Sequence, residues 1–411
     1  MYRFTVIGID DNPLSVERNL HFVRDELQSS KVFSGGKRHF ELVKEYLPPK
    51  YKWIDITVPL DSVFEEYEKE FESMQNEGSG IVVFASGDPL FYGFAVTIQK
   101  RMPGAKLQVF PVFNSLQNLA HRLNMQYDDM VMVSLTGRPL HNLDKVIIEQ
   151  KDKIGLLTDR KHTPAVIAKR LIDYGYTNYT MHVGELLGGE REIVSTHALH
   201  EAAIKEFSVP NCVILVKNGK EKGPVRYFGI PHSNFSLLDG RENMITKMPI
   251  RLLSLSQLDL HNRKALWDIG FCTGSVSIEA KMQFPHLYID AFEIREQCAT
   301  IIDENCRKMG VPGIDAHIAD FTTLDLEKML ENGEVHRPDA VFIGGHGGKI
   351  GKIMEMLSHI VEPGCIVVYN SVKDSVPFEQ AAFDNGFTAA NKTEITIDNY
   401  NRITCCKVFK K

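Results

Sequence analysis

In the second half of this 411-residue chain, Asp268, Gly270, Thr273 and Gly274 fall inside the run ALWDIGFCTGSVSIE. An apolar, strand-like segment there ends in a glycine turn, and a helix-like segment begins directly after it. Such a turn suits a nucleotide-type ligand: glycine lets the backbone approach closely, and the first N–H groups of the helix face an anionic end. Glu293 follows Gly270 by 23 residues, at the end of YIDAFE. At that spacing an acidic side chain can accept hydrogen bonds from both hydroxyls of a ribose. The loop departs from the dinucleotide pattern G-x-G-x-x-G, because GFCTG has glycine only at 270 and 274 and Cys272 stands where a central glycine would be. Each residue alone is an ordinary turn or helix cap. Their joint occurrence favours a cofactor site.

The first half carries a different series. Gly8 lies in VIGIDDNP, Gly87, Asp88 and Pro89 follow the strand-like IVVFAS, Asn114 and Ser115 open PVFNSLQNLAHRLN, and Gly137 sits in VSLTGRP. Glycine and proline at these strand-to-loop junctions force fixed loops with exposed amides.

The elements that must position these residues alternate β-branched runs with amphipathic stretches in the first half, FTVIGI, VERNLHFVRDEL, IVVFAS and FAVTIQKRM, and a fresh series of strands and helices follows: ALWDIG, SVSIEAKM, YIDAFEI, CATIIDENCRKM, AVFIGG and CIVVYN. This is an α/β pattern, and the second series predicts an open, mostly parallel sheet wound with helices. The Lys/Gly/Pro-rich stretch after CVILVK predicts a boundary: one domain over 1–215, a linker over 216–231 and a second domain over 232–411. A net charge of −6 disfavours a nucleic-acid partner. Seven cysteines without any C-x-x-C suit free thiols in a reducing compartment, and no metal is expected. No apolar run approaches the ~18–20 residues of a membrane span, and MYRFTVIGID lacks the grading of a signal peptide, so a cytoplasmic protein with no membrane partner is expected.

The order G-I-D, S-G-D-P-L-F-Y-G, N-S-L-Q-N-L-A-H-R-L, S-L-T-G-R resembles the tetrapyrrole methylase family, closest to its precorrin-6 methylating branch. The loop GFCTG resembles the G-x-G-T-G turn of Rossmann-like methyltransferases. With MITKMPIRLLSLSQLDL and FIGGHGGKIGKIMEML, the second half resembles the decarboxylating precorrin methyltransferases of corrin-ring (vitamin B12) synthesis. The resemblance implies an N-terminal tetrapyrrole methylase fold of two α/β subdomains, split near 112, followed by a Rossmann-like class I methyltransferase domain. It implies S-adenosyl-L-methionine as cofactor, methylation of precorrin-6B or its cobalt form at carbon 5 by the first half, and methylation at carbon 15 with loss of the ring C acetate carboxyl by the second. A homo-oligomer is also expected.

By resemblance, Gly8, Gly87, Asp88, Pro89, Asn114, Ser115 and Gly137 line the first cofactor cleft. Thr246, Gly270, Phe271, Cys272, Thr273, Gly274, Glu293, Asp320, Phe321 and Gly344 line the second, with Asp320 and Phe321 near the adenine. Asp10 replaces a glycine usual in the first loop, and Thr136 a histidine usual in S-L-H-G-R. The implied substrate is a polyanion, for which Lys247 and Arg251, four residues apart, and His346 in GGHGG are candidate contacts. No catalytic acid or base is assigned. Two other readings remain at this point: a nucleic-acid methyltransferase, and an adenosylmethionine-binding regulator whose N-terminal half is inactive.

Overall fold

A computed structural model describes residues 2–73, 80–219, 221–372, 374–397 and 402–411. Two compact units emerge: residues 1–138, 152–168 and 179–217 form one, and 139–151, 169–178 and 218–411 the other.

The first unit contains two five-stranded sheets. In one, β1 (Arg3–Ile9), β2 (Val32–Gly35), β3 (Lys52–Asp55), β4 (Ile81–Ser86) and β5 (Lys106–Phe110) run parallel in the order β3-β2-β4-β1-β5. Side chains alternate faces along β1, so Phe4 and Val6 pack with Phe64 and Tyr67 of the helix Asp61–Ser73, while Ile7 and Ile9 pack with Val16 and Leu20 of the helix Pro13–Phe22. The chain leaves β1 towards β2 on one side and β4 towards β5 on the other. The crevice at the C-terminal ends of β1 and β4 is therefore the switch point where such sheets bind ligands. The second sheet, β6 (Val131–Ser134), β7 (Lys153–Leu157), β8 (Tyr179–Glu185), β9 (Ile193–Ala198) and β10 (Asn211–Lys217), is ordered β6-β7-β10-β8-β9 and is parallel only between β6 and β7. The expected subdomain split near 112 falls between the two sheets.

The second unit holds a seven-stranded sheet of β11 (Ala265–Ile269), β12 (Tyr288–Glu293), β13 (Ile314–Ile318), β14 (Ala340–Ile343), β15 (Ile366–Ser371), β16 (Phe387–Ile395) and β17 (Ile403–Lys410). Its order is β13-β12-β11-β14-β15-β17-β16, parallel from β13 to β15 and antiparallel at β17 and β16. Every residue of β11 is buried, as a central parallel strand covered on both faces requires. Trp267 and Ile269 face one core with Phe292 and Phe321; Leu266 faces another with Leu255 and Leu258 of the helix Met248–Leu258. The switch point lies between β11 and β14. Residues 398–401, in the C-terminal run EITIDNYNRITCCKVFKK, lie outside the described residues.

The expected division differs from these units in two places. Residues 216 and 217 complete β10, and the irregular stretch after them is pinned down: Gly229 and Ile230 donate their N–H groups to Glu279 (3.0 and 2.7 Å), and Ile230 is fully buried. Residues 139–151 and 169–178 also pack within the second unit. There Arg170 pairs with Asp144 (2.6 and 2.7 Å), Tyr176 donates to the Gly310 carbonyl (2.6 Å), and His141 and His336 stack on opposite sides in sequence of Tyr288, with ring centroids 3.8 and 3.9 Å away.

Candidate functional site

Each unit has a cavity at its switch point. The first, about 510 Å³, opens beyond β1 and β4. A Cβ on Gly8 would stand 2.1 Å from the Gly87 carbonyl oxygen and 2.9 Å from the Val112 nitrogen, so only glycine lets these strand ends meet. Gly87 has φ +64° and donates its N–H to the Ile9 carbonyl (2.9 Å). Asp88 accepts from the Leu90 N–H (2.9 Å), and the Pro89 carbonyl oxygen lies where a Cβ on Gly93 would be. Asn114 caps the helix Ser115–Arg122, accepting from the Gln117 N–H while Gln117 accepts in return. Gly137, at φ +63°, donates to Asp159 (2.9 Å).

Of the residues expected here, Gly87, Asn114 and Ser115 line the cavity; Gly8, Asp88, Pro89 and Gly137 are not among its lining residues, though each lies within two positions of one in the chain. Asp10 and Thr136, the two departures, line it as well. The sequence reading missed Asp11, Arg38, His39 and Ser86. Arg38 bonds Asp11 Oδ2 (3.0 Å) and Ser86 Oγ (2.8 Å), and His39 Nε2 lies 2.9 Å from the same Oγ. Burial, then the Arg38 charge, pushes the His39 imidazole down to about 4. The overlooked signal was G-G-K-R-H, a cationic run directly after β2.

The second cavity, about 200 Å³, opens beyond β11, β12 and β14. Gly270, at φ +78°, is required because a Cβ would fall 2.5–2.8 Å from the Gly345 backbone. Glu293 accepts from the Cys272 N–H on Oε2 (3.1 Å), from the Ile294 and Arg295 N–H groups on Oε1 (2.9 and 3.2 Å), and from the Arg295 guanidinium. Asp320 accepts from Lys349 Nζ and from the Thr322 N–H and hydroxyl, which hold its carboxyl down at about 2. Phe321 lines the wall while packing edge-on to Trp267 and Phe292. His346 Nδ1 accepts from the Gly348 N–H (3.1 Å), its Nε2 meets the Tyr369 hydroxyl (3.2 Å), and burial lowers its pKa.

The rest of the expected second site is placed elsewhere. Phe271 and Cys272 pack in the core with Ile302 and Cys298. The Thr273 carbonyl accepts from Asn305 (2.9 Å), and Gly274 is small because Ile302 would lie 2.5 Å from its Cβ. The 270–274 loop thus meets the cavity only at Gly270; the remainder seats one helix on another. Gly344 donates its N–H to the Ile269 carbonyl (2.9 Å) and sets the turn that carries Gly345 and His346. Thr246 offers its carbonyl to Arg251 (2.8 Å).

The expected Lys247–Arg251 pair is corrected. Arg251 is fully buried, bonded to Glu279 (3.2 Å) and to the Ile230 and Thr246 carbonyls, so it cannot meet a substrate, and Lys247 donates to the Glu242 carbonyl (2.8 Å) away from the cavity. The cations that line the cavity are Arg295 and Lys349, the latter three residues after His346 in the motif already noticed. Among the described residues no group of three or more His, Cys, Asp or Glu is arranged to hold a metal, and no helix is long and apolar enough to cross a membrane.

Residues 23–203 match the family model of tetrapyrrole (corrin/porphyrin) methylases, and residues 239–385 match that of the precorrin methyltransferase domain. Different parts of the chain are thus similar to two different methyltransferase families. A precorrin-6Y C(5,15)-methyltransferase [decarboxylating] from Sinorhizobium sp is 29% identical over 373 residues, 90% of this chain and 84% of that one. Two shorter relatives come from Salmonella typhimurium. A cobalt-precorrin-6B C(15)-methyltransferase (decarboxylating) is 35% identical over 127 residues, 31% of this chain and 62% of its own, and a cobalt-precorrin-7 C(5)-methyltransferase is 25% identical over 193 residues, 47% and 89% respectively. The tetrapyrrole methylase match begins after β1, so Gly8 and Asp10 precede it, whereas the precorrin methyltransferase match includes the whole second cavity.

Proposed function

We propose that this chain is an S-adenosyl-L-methionine-dependent C-methyltransferase that methylates a precorrin-6 macrocycle at carbons 5 and 15 and releases the ring C acetate carboxyl as carbon dioxide, within cobalamin biosynthesis. The observation that carries the reading is one switch-point cavity in each unit, each unit matching a different methyltransferase family. That the two carbons are named separately on two shorter relatives supports two separable activities.

The residues present suit the cofactor. In the second cavity Glu293 is a hydroxyl acceptor whose Oε2 carries one backbone N–H besides its guanidinium contact, Phe321 and Ile353 give an apolar slot for a flat base, and the Gly270–Gly345 turn keeps the backbone bare. In the first, Asn114, Asp10 and the Gly87 turn surround a larger space. When bound, the cofactor supplies an electrophilic methyl group. Transfer of that group asks the protein for alignment above all, which can contribute on the order of 7–11 kcal/mol. Loops locked by the Gly8–Gly87 and Gly270–Gly345 contacts provide fixed walls for this. Lys349 and Arg295 are the cations at this cavity, each bonded to a carboxylate beside it, Asp320 and Glu293, and His346, with Nδ1 taken by a backbone N–H, carries its proton on Nε2, 3.2 Å from the Tyr369 hydroxyl.

A cytoplasmic location belongs to the same reading, supported by seven cysteines that are all buried free thiols. Self-association also belongs to it and is read by light scattering on the purified chain. The deciding experiment is mass spectrometry of the product from purified protein, cofactor and either the metal-free or the cobalt-containing precorrin. A gain of two methyl groups with loss of one carbon dioxide is expected; an unchanged macrocycle in both arms overturns the proposal.

A further inference from the structure

The first cavity contains a hydrogen-bond arrangement with one unspent proton. The Gly36 N–H donates to His39 Nδ1 (3.2 Å), so the neutral imidazole carries its proton on Nε2. Nε2 lies 2.9 Å from Ser86 Oγ and therefore donates to it. Arg38 Nη2 donates to the same oxygen (2.8 Å). A hydroxyl has two acceptor positions and one proton; with both acceptor positions filled, the Ser86 proton has to be given to a third partner. Ser86 is exposed and lines the cavity, so this proton faces the cavity, where water takes it until an acceptor on a ligand replaces that water.

Arg38 stands beside this hydroxyl, its Nη1 held by Asp11 Oδ2 (3.0 Å). Among the described residues lining the cavity it is the one lysine or arginine, whereas Asp10 and Asp11 make the same wall acidic. Its side chain is 42% exposed, leaving further N–H groups to offer. A hydroxyl donor polarised by a guanidinium, next to N–H donors of that guanidinium, matches a carboxylate, whose two oxygens accept side by side.

We propose that Ser86 and Arg38 form a carboxylate-recognition site in the first cavity, with His39 as the positioning residue that fills the Ser86 acceptor site and turns its proton outward. This rests on the function proposed above, in which carboxylates come from two sources: the acidic side arms of the tetrapyrrole and the amino-acid end of the cofactor.

The test uses the full-length protein and the variants Arg38→Gln, Ser86→Ala, His39→Phe and His39→Gln, each first checked for an unchanged melting curve. Calorimetry measures S-adenosylhomocysteine against methylthioadenosine, which lacks the carboxylate, and steady-state kinetics give KM for the tetrapyrrole. Loss of a charge-assisted contact weakens binding about tenfold or more. If one of the two S-adenosylhomocysteine binding events weakens by that factor in Arg38→Gln and Ser86→Ala while methylthioadenosine is unaffected, the carboxylate is the cofactor's. If KM for the tetrapyrrole rises by that factor instead, it is the substrate's. In either case His39→Phe reproduces the loss and His39→Gln, which keeps an N–H donor, restores most of it. Unchanged values for both ligands overturn the site, as does full activity in His39→Phe alongside loss in Ser86→Ala. Arg38→Lys, which keeps the charge but not the fork, gives a partial loss and replaces Arg38→Gln should that variant melt early. A wild type that leaves every tetrapyrrole unmodified while S-adenosylhomocysteine binding still responds sinks the proposed reaction and not the carboxylate site.

Discussion

Asp268 is fully buried at the end of β11, with Oδ2 taking both the N–H and the hydroxyl of Ser277 (3.2 and 2.5 Å) while Oδ1 has no hydrogen-bond partner. Burial pushes its carboxyl up to about 7, against the two Ser277 bonds that pull it down. A carboxyl whose folded pKa is raised holds more protons folded than unfolded, so its contribution is greatest below its unfolded value near 4 and is lost as pH rises through about 7. Measured by urea unfolding, the stability of the wild type relative to Asp268→Asn should fall by about 2–4 kcal/mol between pH 4 and pH 8. A flat difference over that range refutes the assignment. At this scale the sequence was readable for position: Glu293 at the end of β12 and Asp320 just after β13 both line the second cavity. Arg251 was misread because the feature that buries it, Glu279, lies 28 residues away on another helix, and spacing within one helix carries no trace of that meeting.

Among elements, the strand, turn and helix at 265–283 were legible because an apolar run, a glycine turn and a segment free of proline and glycine occur in that order. What the turn is for was not legible. The same glycine spacing serves a ligand's approach or a neighbouring helix equally well, and only the packed structure shows Ile302 against Gly274. Gly274→Ala should therefore destabilise the second unit by about 2–4 kcal/mol, from left-handed strain together with overpacking. Ile302→Ala should cost less in that variant than in the wild type, because the added methyl group fills part of the space the truncation leaves in this core. Chemical unfolding of the two single variants and the double variant checks this, and equal stability of Gly274→Ala and wild type would contradict it.

For the whole molecule, the composition shift after residue 217 marked a real loss of regular structure, but residues 139–151 and 169–178 were read with the wrong partners. Their contacts with Tyr288, Gly310 and Lys281 span more than a hundred residues and leave no local pattern. A fragment beginning at Asn218 loses the Tyr176–Gly310 bond, one of the rings stacked with Tyr288, and the apolar cover of Ile148. Its melting temperature should lie about 5 °C or more below that of the same unit in the full chain. Calorimetric scans of the two samples that superimpose in this transition would show that those segments contribute nothing.

That discontinuity also fixes an order of events on the ribosome. All three segments of the first unit have been made once residue 217 has emerged, whereas 139–151 and 169–178 are made early and find their partners only when β12 and Gly310 have followed. From Asn178 to Gly310, translation at roughly 5–20 residues per second imposes a wait of roughly 7–26 seconds. Throughout it the buried face of the helix His141–Ile148 and the Asp144–Arg170 pair stand without the sheet that later covers them. The nascent chain therefore passes through a half-finished stage with one unit complete and two helical pieces of the other already made, where a chaperone that shields apolar helices would have its longest opportunity to act.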